Sequence, residues 1–312
     1  MLPVNFVPEK PPEQIIYVNG KFLPQSQAVI SVLDHSFVYG DGCFDAYCGK
    51  SGFIFMLEAH TDRLYRSIHA LKLNVIMSKE EMNNNIVECA KQNGLLDFYI
   101  KVIVSRGVSP EPVLDPRKCP EPTIVIFARE LMHERDPEKV ESGIRLKISA
   151  IRRIPHDSLE PKVKTNNYLN HILPKLEVWD AGFDDALMVD MRGYVSEAAG
   201  YNIFAVVEDA LITPENNILM GITRRAVMQL ATKLNISVKE GLFTAYDFFT
   251  ADEAFLTNTV SGITPVTGID GYKIGSGMLG EITRKIRDVY NEMLETGKYG
   301  TLVYPEKLSA AE

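Results

Sequence analysis

The order of strand-like and helix-like segments along the 312 residues constrains the fold most. Short apolar runs that favour strands come in groups, first within residues 14–128 and again within residues 143–259, with helical periodicity interspersed. A doubly wound parallel sheet requires strict strand–helix alternation, and this chain lacks it. The pattern therefore predicts an α+β fold.

Local signals locate several of these elements. Asn19-Gly20, a dipeptide preferred in tight hairpin turns, divides residues 14–24 into two predicted strands. Ser78 and Glu81 have the spacing of a capping box and predict the start of a helix. A further helix is predicted from about Asn167 to Asp180. Because Pro174 lies inside it, we expect that helix to end or kink there.

Chain length and one polar segment predict two domains. A chain of 312 residues is long enough for two ordinary domains. The stretch 131–142 is highly charged and has little apolar periodicity, which favours a boundary. We expect a small α+β domain over 1–135, a linker over 136–141 and a larger domain over 142–312.

Composition argues against several classes of protein. The net charge of −8 gives no basic footprint for nucleic acid and no polybasic membrane anchor. No run of 18 apolar residues is present, and the first residues lack the apolar core of a secretory signal. The four cysteines and six histidines show no metal-binding or redox spacing, so no metal site is predicted. We expect a soluble, cytoplasmic protein with free thiols.

Four short motifs could carry chemistry, although each also has an ordinary structural interpretation. Gly275–Gly280 matches GxGxxG, but the 32 residues that follow cannot complete a dinucleotide-binding unit, so turn and helix-cap roles are favoured. Residues 221–224 open a helix whose N–H groups could hold a phosphate, or which Thr223 could simply cap. Lys164 lies in a loop, where most lysines are merely solvated. Glu197 follows a strand and precedes small residues that leave space beside it.

Taken in order, the motifs resemble those of the fold-type IV pyridoxal-phosphate (PLP) enzymes, whose fold is D-amino acid aminotransferase-like. The matching stretches lie between about residues 17 and 290 and include LDHSFVYGDGCFDAY, HTDRLYRS, VKTNNYLN, VSEAAGYNIF, MGITRRAV and ADEAFLTNTVSGITPV. The overall likeness is greatest to the branched-chain aminotransferases. The resemblance implies two domains, an active site in the cleft between them and at least a homodimer.

The resemblance assigns cofactor roles to individual residues. Lys164 would form the Schiff base with PLP and then shuttle the proton between the substrate and the cofactor. Glu197 would face the pyridine nitrogen and keep it protonated. Arg63 would pair with the phosphate. The remaining cofactor-binding positions are Tyr168 for the phenolic oxygen and, for the phosphate, Ile222, Thr223, Thr259 and Val260.

The substrate-binding positions implied by the resemblance are Tyr39, Phe44, Tyr99 and Lys101. Branched-chain enzymes usually read FEGIR, where this chain has Ala46 for the glycine and Cys48 for the arginine. They also carry Tyr-x-Arg, where this chain has Lys101 for the arginine that helps bind the distal carboxylate of the dicarboxylic substrate. A lysine supplies the charge but not the bidentate fork.

The predicted reaction is ping-pong amino transfer from a hydrophobic, branched-chain-like L-amino acid to 2-oxoglutarate. Ala46, Cys48 and Lys101 leave open an (R)-selective amine or broad-specificity transaminase. A lyase of the aminodeoxychorismate type is a weaker alternative. D-amino acid specificity is disfavoured because the loop 108–112 lacks the Arg-x-His pair of that group. A non-enzymatic binding module and an NAD-dependent enzyme are the remaining alternatives.

Overall fold

The computed structural model describes residues 6–131 and 142–305, so the predicted linker 136–141 lies outside the described residues. The chain forms two compact units. The first comprises the described residues of Met1–Met132, Val163–Asn167 and Met293–Glu312, and the second those of His133–Lys162 and Tyr168–Glu292. This grouping differs from the predicted domains, which assigned both Val163–Asn167 and the C-terminal residues to the larger domain.

The first unit contains an antiparallel sheet, whose strands we number in chain order through the whole protein. They are β1 (Ile15–Val18), β2 (Lys21–Pro24), β3 (Gly42–Lys50), β4 (Phe53–Phe55), β5 (Phe98–Ser105), β6 (Thr123–Glu130) and β16 (Gly300–Leu302). Their order in the sheet is β16-β4-β3-β5-β6-β1-β2. The helices of this unit are α1 (His35–Tyr39), α2 (Leu57–Ala70) and α3 (Lys79–Gln92).

Two local predictions are confirmed in this unit. Asn19 and Gly20 both have positive φ, 43° and 90°, as a two-residue hairpin turn requires. Ser78 caps α3, and the reciprocal hydrogen bond from its backbone N–H to the Glu81 carboxylate completes the capping box.

Alternation along β3 gives the first sheet two different faces. Cys43, Asp45 and Tyr47 are buried on the side of the core, while Phe44 and Ala46 are half-buried on the other side. In β5 the half-buried residues are Tyr99, Lys101 and Ile103. Because Ala46 pairs with Lys101 and Phe44 with Ile103, these side chains share one face, which we call the open face.

The second unit is built on a mixed sheet with the path β12-β11-β10-β13-β14-β7-β8-β9, to which β15 adds beside β14. Its strands are β7 (Ile144–Ile148), β8 (Asp185–Val189), β9 (Val195–Ala198), β10 (Asn202–Val207), β11 (Ala210–Pro214), β12 (Val238–Gly241), β13 (Glu253–Asn258), β14 (Gly262–Ile269) and β15 (Tyr272–Lys273). Its helices are α4 (Leu169–Asp180), α5 (Ile222–Lys233), α6 (Ala245–Phe249) and α7 (Glu281–Glu295), of which α7 belongs to this unit up to Glu292. The parallel pairs β7–β8, β7–β14 and β11–β12 lie among antiparallel ones, which agrees with the predicted α+β class.

One predicted helix is confirmed, and one strand was not predicted. Helix α4 spans Leu169–Asp180, close to the predicted range, and it does not end at Pro174, which is buried inside it. Strand β14 was missed because Pro265 lies within it, and proline weakens a strand pattern. Its pairing with β13 supplies the stabilisation that the local sequence does not indicate.

The glycines of the GxGxxG match have a structural role, because they form the turn before helix α7. Gly275 and Gly277 have φ of +48° and +73°, which turns favour. The N–H groups of Ile282 and Thr283, in the first turn of α7, donate to the two carboxylate oxygens of Glu253 at 3.0 and 2.7 Å. Glu253 of β13 thereby caps the start of this helix, and the positive φ of the two glycines supports only their predicted turn role.

Among the described residues, no helix is both long and apolar enough to cross a membrane.

Candidate active site

A short extended segment around Lys164 pairs with the start of β3 in the first unit. The N–H of Phe44 donates to the carbonyl of Lys164 at 2.9 Å, and the N–H of Asn166 donates to the carbonyl of Gly42 at 2.9 Å. The Asn166 side-chain amide also donates to Ser36 Oγ at 2.9 Å. The main chain that follows the Lys164 Cα is therefore fixed to the sheet, while the Lys164 N–H donates to Ser67 Oγ of α2 at 3.2 Å.

Gly42 makes this approach sterically feasible. A Cβ built at this position would lie 2.3 Å from Ser36 Oγ, 2.5 Å from the Val104 carbonyl oxygen and 2.6 Å from Asn166 Nδ2. No side chain fits such distances without displacing its neighbours. The glycine of GDGCFD thus lets the lysine segment lie against the strand.

The amino groups of two lysines lie over one aromatic ring on the open face. Lys164 Nζ is 4.6 Å from the centroid of the Phe44 ring, and Lys101 Nζ is 4.4 Å from the same centroid. Burial lowers the pKa of Lys101, and the positive charge of Lys164 lowers it further. The structure therefore brings three predicted site residues together.

The two predicted tyrosines lie in the same unit. Tyr99 is half-buried and precedes Lys101 by two residues on β5, which places it on the open face. Tyr39 ends α1 and is 37% exposed, with its ring edge-on to that of His35 at 5.0 Å.

Cys48 stands where the resemblance leads us to expect an arginine, and it supplies no charge. It lies opposite Tyr99 in the sheet and is 4% exposed. Burial raises the pKa of its thiol to about 12, so the side chain stays neutral at physiological pH. Lys101 is consequently the side chain of the β3–β5 pair that can attract a carboxylate on the open face.

Arg63, the predicted phosphate ligand, is held by a buried carboxylate. Asp45 accepts hydrogen bonds from Nε and Nη2 of Arg63 at 2.8 Å each, and a ring nitrogen of His60 lies 2.8 Å from it. Burial alone would raise the pKa of Asp45, but the charge of Arg63 and the hydrogen bond from His60 more than offset this and lower it. Asp45 is therefore an ionised carboxylate that fixes one edge of the Arg63 guanidinium.

Glu197 lies in the second unit and is 3% exposed. One of its carboxylate oxygens accepts from Arg153 Nε at 2.9 Å. The other accepts from the backbone N–H of Leu219 at 2.9 Å and from Asn202 Nδ2 at 3.2 Å. Three N–H donors, one of them cationic, favour the ionised form of this buried carboxylate, as a partner for a protonated pyridine nitrogen requires.

Helix α5 begins at Ile222, and no side chain of the described residues caps it. Its N-cap is Gly221, so the capping role considered for Thr223 is wrong. A Cβ on Gly221 would lie 2.1 Å from Asn202 Oδ1, so a larger residue there would displace the Asn202 amide. The N–H groups of the first helical turn remain suited to an anion.

The turn between β13 and β14 contains Thr259 and Val260. Asn258 Oδ1 accepts from the N–H of Val260 at 3.1 Å and from that of Ser261 at 2.7 Å. For Val260 to donate to a phosphate, as predicted, its hydrogen bond would have to open. The buried hydroxyl oxygens of Thr257 and Ser261 have no hydrogen-bond partner among the described residues.

Tyr168 immediately precedes α4 and is half-buried. Its ring stacks on the ring of His171 at a centroid distance of 4.4 Å. The stacking fixes the plane of the phenol predicted to reach the cofactor.

Sequence patterns did not single out the residues that support these side chains. Asp45, His60, Arg153, Asn202 and Asn166 hold Arg63, Glu197 or the lysine segment, as described above. Each contact joins positions far apart in the chain or on different elements. Asp45, His60, Asn166 and Asn202 lie inside the quoted family stretches, which was the available signal, whereas Arg153 lies outside all of them.

The chain belongs to the family described as Amino-transferase class IV, whose profile matches residues 42–269. It is 42% identical to a putative branched-chain-amino-acid aminotransferase of Methanocaldococcus jannaschii, with 93% of this chain and 99% of that protein covered. A T.th. branched-chain amino acid aminotransferase with pyridoxamine 5′-phosphate has a TM-score of 0.89 at 32% identity, over 93% of this chain and 99% of that one. The same enzyme complexed with N-(5′-phosphopyridoxyl)-L-glutamate gives 0.88 at 31% identity, over the same shares of the two chains.

The fold is that of the fold-type IV aminotransferases, and the chain is a PLP-dependent transaminase. Each unit contains residue types that suit this cofactor. The first has a lysine that could bond to its aldehyde carbon, and the second has a buried carboxylate that could face its pyridine nitrogen and an uncapped helix start that could bind its phosphate. The buried Thr257 and Ser261 hydroxyls need a polar partner, which a phosphate could provide.

Proposed function

We propose that this transaminase moves an amino group between a hydrophobic, branched-chain-like L-amino acid and 2-oxoglutarate by a ping-pong mechanism. The observation that carries the proposal is the composition of the open face beside Lys164. Phe44, Ala46 and Ile103 offer an apolar surface for a branched side chain. Lys101 adds one cation for a distal carboxylate.

The relatives support the same choice of substrates. The relatives of Methanocaldococcus jannaschii and Pseudomonas aeruginosa, which match at least 90% of this chain at 42% and 32% identity, are named for branched-chain amino acids. A D-alanine aminotransferase of Staphylococcus haemolyticus matches 90% of this chain at a lower identity of 30%. One of the similar structures contains a phosphopyridoxyl adduct of L-glutamate, the amino acid that corresponds to 2-oxoglutarate. An apolar donor and a dicarboxylic acceptor would use one surface in turn, which a ping-pong mechanism permits.

Lys164 would bond covalently to the cofactor and, once released by the substrate amine, act as the base and then the acid. Its neutral amine would take the proton from the substrate Cα and return it to the cofactor side. Bound PLP supplies an electron sink for the pair left when the Cα–H bond breaks. Glu197, kept anionic by Arg153, would hold the pyridine nitrogen protonated.

The phosphate would be bound by donors from several elements. We assign to it Arg63, the N–H groups of Ile222 and Thr223 at the start of α5, and the turn containing Thr259 and Val260. Tyr168 would donate to the phenolic oxygen, and Tyr39 and Tyr99 would border the substrate. An anion at an uncapped helix start is stabilised by unpaired N–H groups and by the helix dipole.

The donor half-reaction tests the substrate assignment. Holoenzyme without acceptor would be mixed with L-leucine, D-alanine or an (R)- or (S)-arylalkylamine, and the visible absorbance of the bound cofactor followed. We expect rapid loss with L-leucine only. Reaction with the (R)-amine would favour the broad-specificity alternative, and reaction with D-alanine would favour a D-amino acid aminotransferase. A cofactor band that none of the donors bleaches would favour a lyase.

The catalytic role of Lys164 has its own test. Lys164→Ala should lose amino transfer by several orders of magnitude, whereas Lys162→Ala, an exposed lysine two residues earlier, should keep it. A Lys164→Ala protein that transaminates at the wild-type rate would contradict this assignment.

Steady-state kinetics test the ping-pong order. Double-reciprocal plots for donor and acceptor should be parallel, and intersecting plots would contradict this order.

We also propose a homodimer or larger homo-oligomer, in the cytoplasm. Two segments expose large apolar side chains that an interface would cover. In residues 29–39 they are Val29, Ile30, Val32, Leu33, Phe37, Val38 and Tyr39, and along α4 they are Leu169, Ile172, Leu173, Leu176 and Trp179. Light scattering should give at least twice the 35.0 kDa chain mass.

The cytoplasmic location is supported by the four free cysteines, which suit a reducing compartment.

A further inference from the structure

The cluster of Asp45, His60 and Arg63 has no assigned part in the proposed reaction beyond the phosphate role of Arg63. Asp45 is fully buried and accepts from two guanidinium nitrogens and from the His60 ring. A buried carboxylate is unfavourable unless it is paired and hydrogen-bonded. Asp45 meets both conditions, so its hydrogen bonds could serve to hold the side chains of Arg63 and His60 in place.

We propose that Asp45 and His60 are positioning residues that orient the Arg63 guanidinium for the phosphate group of PLP, which rests on the phosphate role proposed for Arg63. Asp45 engages Nε and Nη2, one edge of the planar guanidinium, at 2.8 Å each. Two parallel hydrogen bonds prevent the plane from rotating about its long side chain. The direction of Nη1, on the other edge, is thereby fixed as well.

His60 holds the Asp45 carboxylate in place through a hydrogen bond, and Asp45 in turn orients Arg63. Burial lowers the pKa of His60, and the hydrogen bond to Asp45 only partly offsets this, so the ring is neutral and donates from Nδ1. The ring packs on Tyr47 with 5.1 Å between centroids, and the Tyr47 hydroxyl lies 3.3 Å from Thr61 Oγ1. The cluster thus contains one positive and one negative charge in a rigid arrangement.

Because Asp45 carries the negative charge of the cluster, removing that charge can distinguish two roles for this residue: orienting Arg63, or only neutralising the charge of Arg63. If Asp45 only compensated the charge of Arg63, Asp45→Asn would leave that charge unopposed and should tighten the binding of an anion. If Asp45 positions Arg63, the same change should weaken phosphate binding despite the extra positive charge. The sign of the change in affinity distinguishes the two.

The experiment titrates apoprotein with PLP and with pyridoxal, which lacks the phosphate, and measures both dissociation constants by equilibrium dialysis. Asp45→Asn should weaken PLP binding by about tenfold or more, as expected for loss of a charge-assisted hydrogen bond, and should change pyridoxal binding by less than about twofold. Arg63→Gln is the benchmark. Asp62→Asn, a half-exposed aspartate next to Arg63 on α2, is the matched control and should change neither constant.

Conservative variants separate positioning from folding. His60→Gln keeps a neutral donor and should retain the preference for PLP over pyridoxal, whereas His60→Leu, without a donor, should lose part of it. Asp45→Glu should restore most of what Asp45→Asn loses. Thermal unfolding of the apoprotein would show whether Asp45→Asn folds. If it does not, the comparison of His60→Gln with His60→Leu tests the proposal.

Three results would overturn the inference: unchanged or tighter PLP binding by Asp45→Asn, equal losses for PLP and pyridoxal, or equal preferences in His60→Gln and His60→Leu. A separate result concerns the proposed function. If Arg63→Gln keeps the full preference for PLP, the phosphate role of Arg63 fails before that of Asp45 is reached.

Discussion

Replacing Lys101 with methionine should separate the two substrates of the proposed reaction. Methionine has nearly the length and flexibility of lysine but no charge. The open face should therefore keep its shape and lose its cation. We expect the KM for 2-oxoglutarate to rise and the KM for a branched-chain 2-oxo acid to change little.

The magnitude follows from the surroundings of the Lys101 ammonium. It is half-buried and lies 4.4 Å from the Phe44 ring, so water screens it less than a surface charge. A hydrogen bond to a charged partner contributes roughly 1.5–3 kcal/mol, equivalent to about 10- to 100-fold in affinity. Because Lys101 keeps some solvent contact, we expect the lower end, about tenfold.

The same ammonium predicts a pH dependence. Burial and the neighbouring Lys164 charge lower the pKa of Lys101, so it loses its charge at a lower pH than an ordinary lysine does. The contribution of Lys101 to the affinity for 2-oxoglutarate should be fully present at pH values below this lowered pKa. The affinity should then fall as the pH rises through the pKa and the ammonium loses its proton. Lys101→Met should lack this alkaline fall.

The assay is the acceptor half-reaction, in which the pyridoxamine form of the enzyme is mixed with each 2-oxo acid. Lys50→Met is the control, because Lys50 pairs with Asp97 at 2.6 Å at the end of β3. Equal losses for 2-oxoglutarate and the branched-chain 2-oxo acid in Lys101→Met would refute the reasoning. So would an unchanged KM for 2-oxoglutarate.

Three further predictions follow from contacts in the two units. Gly42→Ala should displace the segment that carries Lys164 and lower kcat by at least tenfold, with a raised rate of cofactor loss as the second readout. Gly221→Ala should push Asn202 away from Glu197 and shift the absorbance of the bound cofactor, and an unchanged spectrum would contradict this contact. Cys48 should resist alkylation by iodoacetamide at pH 8 in the native state, because burial raises the pKa of its thiol to about 12; mass spectrometry after digestion would detect any labelling.

Much of the local structure was determined by short-range sequence signals. The hairpin at Asn19-Gly20 and the cap at Ser78 are confirmed because each depends on the φ preferences or side-chain chemistry of neighbouring residues. The order of the family motifs was equally sufficient for the fold and for PLP, both of which the comparisons confirm. The assignments of Lys164 and Glu197 within that pattern stay proposals.

Long-range pairing decided what the local patterns did not. Strand β14 forms despite Pro265 because β13 and β7 pair with it. The strand near the C terminus, Gly300–Leu302, joins the first sheet beside β4, more than two hundred residues away in sequence. Propensity is a weak guide where hydrogen-bond partners come from distant segments.

The sequence by itself determined the class of chemistry, since the ordered family motifs along the chain were enough to identify a PLP-dependent transaminase. Only the tertiary structure decided how those side chains are held. It places Lys101 and Lys164 over one ring, and it surrounds Arg63 and Glu197 with Asp45 and Arg153. The physical reason is that orientation and charge depend on burial and on partners from other elements, which no local pattern of residues encodes.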